Sequence, residues 1–256
     1  MTVRIRRLRR GRPFDPPLKF TENRDLSLAL YPEGKKSASV FTGEIAISST
    51  KPEAIDTLRI RLWNLGILGT FFISPFSPEG EPLKKEYRQF KQIWELQAYG
   101  YEIAQLGRRP DTAAPENGEE IRRGRNILEK LGLRIEGYRS PSLKGPVVSP
   151  EVMEEHGYLY GSNSRISSLT FRTFFTGDGK RNIYFPYHPG RGNYLEVSVW
   201  TEPTVHPEEA RRDFHIVHDR GGVYVFRTEL PRDRAEGNLR KLEDFLRYLK
   251  NRDTWF

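Results

Sequence analysis

The feature that most constrains the fold of this chain is an alternation of short apolar runs with helix-like segments. A run at residues 44–51 precedes a helical pattern that begins at Pro52, and a continuously apolar run at residues 67–73 follows. Proline suits the first turn of a helix, and a strand buried on both faces shows an unbroken apolar run. Repeated strand–helix units predict a parallel sheet with right-handed crossovers.

The alternation continues through most of the chain and favours a closed barrel. The remaining predicted elements are, in chain order, helix 83–100, strand 101–106, helix 119–131, strand 135–138, helix 150–156, strands 167–175, 182–187 and 194–200, and helix 238–250. Four or more such units in one domain favour a barrel, although a doubly wound open sheet stays possible. The predicted fold class is therefore α/β, a distorted (β/α) barrel of about seven strands.

The chain divides by sequence into an arm and one folded domain. Residues 1–43 carry several prolines and alternate only briefly, which predicts an N-terminal basic arm with a leading strand. Residues 44–256 carry the periodic pattern and form the predicted barrel. A chain of 256 residues is long enough for one such domain with a full core.

Composition restricts the possible partners and chemistry. The chain has no cysteine, which excludes disulfides, thiolate nucleophiles and Cys-ligated metals. Its formal net charge of +8 favours contact with polyanions. Dense charge with few methionines is also typical of thermophile proteins.

The N-terminus is the most basic part of the sequence. Its arginines could track a phosphate backbone, and they are Arg4, Arg6, Arg7, Arg9 and Arg10. No apolar segment typical of a secretory signal follows them, and no run approaches the length of about 18 apolar residues that spans a membrane. A cytoplasmic protein is therefore predicted.

Six local motifs together resemble the polysaccharide deacetylase (NodB-homology) family. In chain order they are Gly-Thr-Phe-Phe-Ile at 69–73, Tyr-Gly-Tyr-Glu-Ile-Ala at 99–104, Gly-Tyr-Arg-Ser-Pro-Ser at 137–142, His-Gly-Tyr-Leu-Tyr-Gly-Ser-Asn at 156–163, Leu-Glu-Val-Ser-Val at 195–199 and Gly-Gly-Val-Tyr-Val-Phe at 221–226. The third motif is similar to the family's Arg-x-Pro motif. Their order implies the same distorted barrel, with a metal-dependent active site at the carboxyl ends of its strands.

The chain departs from the family where that chemistry is expected. Ser49, Thr50 and Lys51 stand where the resemblance implies paired aspartates, and Arg108 and Arg109 lie where it implies two histidines. Glu229 or Leu230 replaces the late histidine before Pro231. Arg139 is kept, but the carboxylate that it would orient is missing from the predicted alignment. We therefore expect a divergent member, a pseudoenzyme, with no metal or other cofactor.

The strand-end rule for (β/α) barrels gives an independent list of candidate residues. The predicted ligand-binding residues of this cleft are Ser49, Thr50, Lys51, Gln105, Arg108, Arg109, Arg139, Ser140, His188 and Glu229. The cationic members could form a cradle for a carboxylate, sulfate or phosphate, with Arg139 donating to the same group. A glycan or a small acidic ligand is the partner expected.

Two other functions stay open at this point. One is a hydrolase acting on carbon–nitrogen bonds without a metal, through Glu102, Glu229 or His188 beside Arg139. The other is a polyanion or nucleic-acid binder that uses the arginine arm. The pair His215 and His218 is a weak metal candidate, because spacing by three residues is common in sequences without metal sites.

Overall fold

The computed structural model describes residues 31–45, 50–77, 80–107, 117–141, 143, 148–166, 184–189, 192–230 and 235–256. The arginine arm and the predicted strand 167–175 lie outside these residues. The arm's assignment as a separate segment stays a prediction.

The described residues form eight strands and six α-helices. The strands are β1 (Ser37–Ile45), β2 (Gly69–Ile73), β3 (Glu102–Leu106), β4 (Ile135–Arg139), β5 (Tyr160–Gly161), β6 (Leu195–Glu196), β7 (Val223–Glu229) and β8 (Thr254–Trp255). The helices are α1 (Pro52–Asn64), α2 (Phe90–Ala98), α3 (Gly118–Lys130), α4 (Pro150–Glu155), α5 (Pro207–His218) and α6 (Ala235–Lys250). A 3₁₀ turn at Pro32–Gly34 precedes β1.

The strands form one parallel sheet in the order β6-β5-β4-β3-β2-β1-β7, and β8 pairs with the start of β1. A parallel bridge from Trp200 to Phe226 joins the chain after β6 to β7, with Trp200 N donating to Val225 O at 2.8 Å. This bridge brings the two ends of the sheet together. The predicted α/β class and (β/α) barrel architecture are confirmed.

Alternating side chains on β1 divide the core into two layers. Phe41 and Ile45 are fully buried and belong to the large apolar cluster beneath the helices. Thr42 and Glu44, with opposite parity, face the barrel interior. Their neighbours there include Phe72, which belongs to a separate, smaller apolar cluster.

Helix α1 shows how the sequence sets local structure. Pro52 occupies its first turn, and Gly66 with a φ of 63° follows its end. A glycine adopts this left-handed conformation without the steric penalty of a side chain, so the helix ends here without backbone strain. Ile55, Leu58 and Leu62 are buried against the sheet, as their helical spacing predicts.

Several element boundaries differ from the sequence predictions. Strand β1 begins at Ser37 and is described only to Ile45, so it starts seven residues before the predicted strand. Helix α5 was not predicted, because its charged sequence hides a buried stripe of Ala210, Phe214 and Val217. Helix α2 begins at Phe90, well after the predicted start. In the predicted strand 182–187, the described part contains a single bridge, at Tyr187.

No helix among the described residues is both long enough and apolar enough to cross a membrane.

Candidate functional site

The carboxyl ends of the barrel strands bring a charged cluster together. Glu44 near the end of β1 is in register with Glu229 at the end of β7. Arg139 ends β4, and Ser162 follows β5. We call this end of the barrel the mouth, and its charged cluster consists of Glu44, Arg139, Glu202, Arg227 and Glu229.

Arg139 is fully buried and is held by side chains from three strand regions. Its Nη1 donates to Glu44 Oε1 at 3.2 Å. Its Nη2 donates to Thr42 Oγ1 at 3.0 Å and to Ser162 Oγ at 2.9 Å. The guanidinium carbon lies 3.8 Å from the centroid of the Phe72 ring, a cation–π geometry. Arg139 therefore ties the first, second, fourth and fifth strands together inside the barrel.

Glu44 lies between two guanidinium groups. Besides Arg139, it accepts hydrogen bonds from Arg227 Nη1 on both carboxylate oxygens, at 3.1 and 3.2 Å. Its side chain is almost completely buried. A buried carboxylate needs such partners, because removing a charge from water without compensation is costly.

Arg227 connects this buried pair to the solvent-facing part of the mouth. Its Nη2 lies 3.3 Å from Glu229 Oε1 and 3.8 Å from Glu202 Oε2. Glu202 also accepts hydrogen bonds from Thr204 Oγ1 at 2.7 Å and from Glu229 N at 3.3 Å. The Glu229 side chain is 43% exposed, so the cluster runs from the barrel interior to the surface.

The pKa values of the two arginines are shifted in opposite directions. Burial lowers the pKa of Arg139 to about 10, although the Glu44 carboxylate opposes that shift. Burial also acts to lower the pKa of Arg227, but the carboxylates of Glu44, Glu202 and Glu229 outweigh it and raise that pKa. Both groups are cations at neutral pH.

Gln105 does not lie in the mouth, in contrast to the sequence prediction. Its side chain is fully buried toward α3, where Nε2 donates to Ile121 O at 3.2 Å. Its Oε1 accepts from Tyr158 OH at 2.7 Å. The prediction was wrong because β3 is buried on both faces, so its apolar pattern does not reveal which side chains point inward.

His188 and Glu102 also lie away from the mouth. His188 is exposed, and its Nδ1 lies 3.1 Å from Tyr194 O, just before β6 begins. Glu102 begins β3, where it accepts from Thr70 Oγ1 at 2.6 Å and from Tyr160 OH at 2.9 Å. Burial raises the pKa of Glu102, against these two hydrogen bonds. Both residues therefore lie near amino ends of strands, and the mouth lies at the carboxyl ends.

The other predicted site residues fall into three groups. Ser49, Arg108 and Arg109 lie outside the described residues. Thr50 and Ser140 are buried, and Ser140 N donates to Asn163 Oδ1 at 2.8 Å. Lys51 is exposed just before α1, on the side of the barrel where β1 ends.

A polar cluster behind β5 and β6 positions the chain that follows Ser140. Glu196 accepts from Asn163 N at 2.8 Å and from Asn163 Nδ2 at 3.0 Å. Burial raises the pKa of Glu196, against the hydrogen bonds from Asn163. Asn163 thus joins β6 to the loop after β4, and this network is structural.

Among the described residues, no group of three or more His, Cys, Asp or Glu side chains could hold a metal ion. Glu44, the carboxylate deepest in the mouth, lies against two guanidinium groups. His215 and His218 lie on α5, where His215 Nε2 is 2.6 Å from Tyr248 OH and His218 Nδ1 is 2.8 Å from Ser37 Oγ.

Sequence reasoning missed the carboxylate partner of Arg139. It placed the end of the first strand at residues 48–51, so Glu44 was counted as the start of the strand. The alternation of Val40, Thr42 and Glu44 with apolar Phe41 and Ile45 was the signal for an earlier strand. The structure gives Arg139 a carboxylate partner that the sequence prediction did not place there, because Arg139 Nη1 donates to Glu44 Oε1.

Comparison with solved structures supports the fold. The chain is similar to a protein assigned as a polysaccharide deacetylase from Mycobacterium smegmatis, with a TM-score of 0.65 and 20% identity over 96% of this chain and 91% of that one. It is also similar to the PuuE allantoinase, with a TM-score of 0.59 and 16% identity over 91% of each chain. A third similar structure, from Bordetella bronchiseptica, is assigned as a polysaccharide deacetylase involved in O-antigen biosynthesis. Its TM-score is 0.51, with 14% identity over 84% of this chain and 93% of that one.

These likenesses show that the chain has the fold of the NodB-homology polysaccharide deacetylases. At such low identity they carry the fold alone. No protein-family model matches the sequence, and no curated protein matches it.

Proposed function

We propose that this protein binds a glycan or a small acidic ligand at the barrel mouth and does not catalyse the metal-dependent deacetylation that the sequence resemblance implies. The fold is that of polysaccharide deacetylases, and similar structures are assigned to glycan chemistry. The proposal depends on the side chains at the mouth of this chain.

The observation that carries the proposal is the position of Glu44 between Arg139 and Arg227. A metal-ligating carboxylate offers its oxygens to a cation. Both oxygens of Glu44 accept hydrogen bonds from guanidinium groups at 3.1–3.2 Å. Two fixed positive charges at that distance repel a divalent ion electrostatically, so the cluster disfavours metal binding at the first strand.

The outer part of the mouth is the ligand-binding surface in this proposal. Arg139 is sequestered and acts as a scaffold. Arg227 and Glu229 approach the surface, and Lys51 is exposed on the same side of the barrel. A guanidinium group suits a carboxylate or the hydroxyl groups of a sugar, and a carboxylate such as Glu229 accepts hydrogen bonds from hydroxyl groups.

The first test measures metal affinity. The full chain is incubated with zinc, cobalt or nickel at neutral pH, dialysed and examined by elemental analysis. We expect no tightly held equivalent. One tight equivalent per chain, or release of acetate from N-acetylglucosamine oligomers in the metal-loaded protein, would overturn the proposal.

The second test measures ligand binding by calorimetry. The probes are tetramers of N-acetylglucosamine, glucosamine and galacturonic acid. We expect at least one to bind, with several-fold weaker binding in Glu229→Gln and Lys51→Gln. The matched controls are Glu208→Gln and Lys241→Gln, which change exposed charges on α5 and α6. Equal binding in site and control variants would remove the mouth as the ligand site.

A further inference from the structure

A shallow hollow on the outside of the barrel combines an exposed indole ring with lysines. It has a volume of about 370 Å³ and lies between α2, the loop before it and the end of α3. Its lining residues are Lys85, Phe90, Lys91, Trp94, Glu95 and Leu131. The volume falls within the range of about 300–1,000 Å³ that is usual for small-ligand sites.

Trp94 supplies a flat apolar surface to this hollow. The residue is 52% exposed, so the face of its indole ring is accessible to a ligand. Phe90 lies four residues earlier on α2, so both rings lie on the same face of the helix. The face of an indole ring carries negative charge and attracts the partly positive C–H bonds on one side of a pyranose ring.

The rim of the hollow is positively charged. Lys85 and Lys91 are both exposed, and Lys91 Nζ lies 3.8 Å from Glu95 Oε1. Glu95 is shared with Arg59, whose Nη2 is 3.8 Å from Glu95 Oε2. One shared carboxylate does not neutralise these cations, so the hollow favours a ligand with negative charge.

We propose that this hollow is a second carbohydrate-binding site, and that it takes a uronic acid unit of an acidic polysaccharide. The sugar ring stacks on Trp94, and its carboxylate lies near Lys85 and Lys91. The site is on the outer surface, separate from the mouth. This proposal does not depend on the function proposed for the mouth.

The test compares three polymers by affinity gel electrophoresis of the full chain at pH 7. Polygalacturonate is the main probe, and methyl-esterified polygalacturonate keeps the sugar rings but removes their charge. Polyglutamate serves as a polyanion without sugar rings. Trp94→Ala should weaken binding to both sugar polymers at least tenfold. Of the two sugar polymers, only polygalacturonate should bind more weakly to the double variant Lys85→Gln/Lys91→Gln.

Matched controls distinguish binding in the hollow from general electrostatic attraction between the basic protein and the polymer. Trp63→Ala removes an indole that is 58% exposed on α1, and Lys36→Gln/Lys241→Gln removes the same amount of charge away from the hollow, just before β1 and on α6. Both should bind as the wild type does.

Three results would overturn the proposal. They are unchanged binding in Trp94→Ala, an equal loss in either control, and an equal loss of polyglutamate binding in Trp94→Ala. The last result would indicate an acidic protein surface as the partner. A thermal melt of Trp94→Ala checks folding, and we expect little change because half of the ring is already in solvent.

Discussion

Nη1 of Arg139 lies 3.2 Å from Oε1 of Glu44, and this buried pair links the fourth strand of the barrel to the first. Arg227 lies on the other side of the same carboxylate, at 3.1 Å. The three groups form a chain of alternating charge. The loss of stability on replacing one of these residues therefore depends on whether the remaining charges still have a partner of opposite sign.

Glu44→Gln should destabilise the fold more than Arg139→Met does. Loss of Glu44 leaves Arg139 fully buried without its counter-charge, which costs about 3–5 kcal/mol in comparable buried pairs. Loss of Arg139 leaves Glu44 still paired with Arg227, so the free energy of unfolding should fall less. Denaturant unfolding of both variants measures the difference, and the reverse order would contradict this account of the cluster.

His218 should make the protein less stable in mild acid. Burial, and secondarily the positive charge of Lys36, lower its pKa below the ordinary histidine value of 6.5. Below about pH 6.5 the unfolded chain therefore binds a proton that the folded chain does not, so stability falls as pH falls through this window.

The variant His218→Gln tests this effect, since an amide can still reach Ser37 Oγ. We expect the drop in melting temperature between pH 7.5 and 5.5 to shrink in this variant. Exposed His188→Gln is the control and should keep the wild-type drop. An unchanged drop in His218→Gln would show that other groups cause it.

Glu102 should act in the opposite direction. Burial raises the pKa of Glu102, so the folded chain holds a proton that the unfolded chain releases at pH values between the ordinary glutamate pKa of 4.5 and the raised pKa. Its contribution to stability is therefore lost as pH rises through that window. Glu102→Gln keeps an acceptor for Thr70 or Tyr160 and should be neutral or stabilising at pH 7. A clear loss of stability in urea unfolding at pH 7 would contradict this expectation.

Gln105→Met should reduce stability without affecting ligand binding. The substitution removes the hydrogen bonds that Gln105 makes with Tyr158 OH and Ile121 O, while Tyr158 OH still donates to Ile121 O at 3.2 Å. A lost hydrogen bond of this kind costs about 0.5–1.5 kcal/mol. Calorimetry with the oligosaccharide bound by the wild type should show unchanged affinity. Weaker binding at an unchanged melting temperature would indicate that Gln105 takes part in ligand binding at the mouth.

Deletion of residues 1–12 should remove most affinity for nucleic acid. Six arginines lie in that segment, and each phosphate contact that they make contributes to a steep salt dependence. The measurement is DNA retention across a salt gradient, beside oligosaccharide calorimetry. If the deletion abolishes both activities, the arm and the mouth are not separate surfaces.

The architecture was predictable because it follows from local pattern. Strands β2, β3 and β4 appear within two residues of their predicted starts, since apolar runs bounded by glycine and polar residues define them. Helix α1 follows from Pro52, its apolar stripe and Gly66. The position of Arg139 at a strand end was likewise visible in the sequence.

The site was predictable only in part, because its members meet across the barrel. Glu44 and Arg139 are far apart in the chain, and their pairing depends on the exact end of β1. Gln105 and Glu229 both lie at strand ends, yet only Glu229 reaches the mouth. The direction of a side chain on a strand buried on both faces depends on register, which the composition of that strand does not encode.

Three features follow from residue type and periodicity alone, and these are the repeated strand–helix units, the absence of cysteine chemistry and the arginine at the end of the fourth strand. The tertiary fold then set which charges meet. It placed Glu44 between two guanidinium groups, because side chains of β1, β4 and β7 meet in the barrel interior, where burial requires each charge to have a partner.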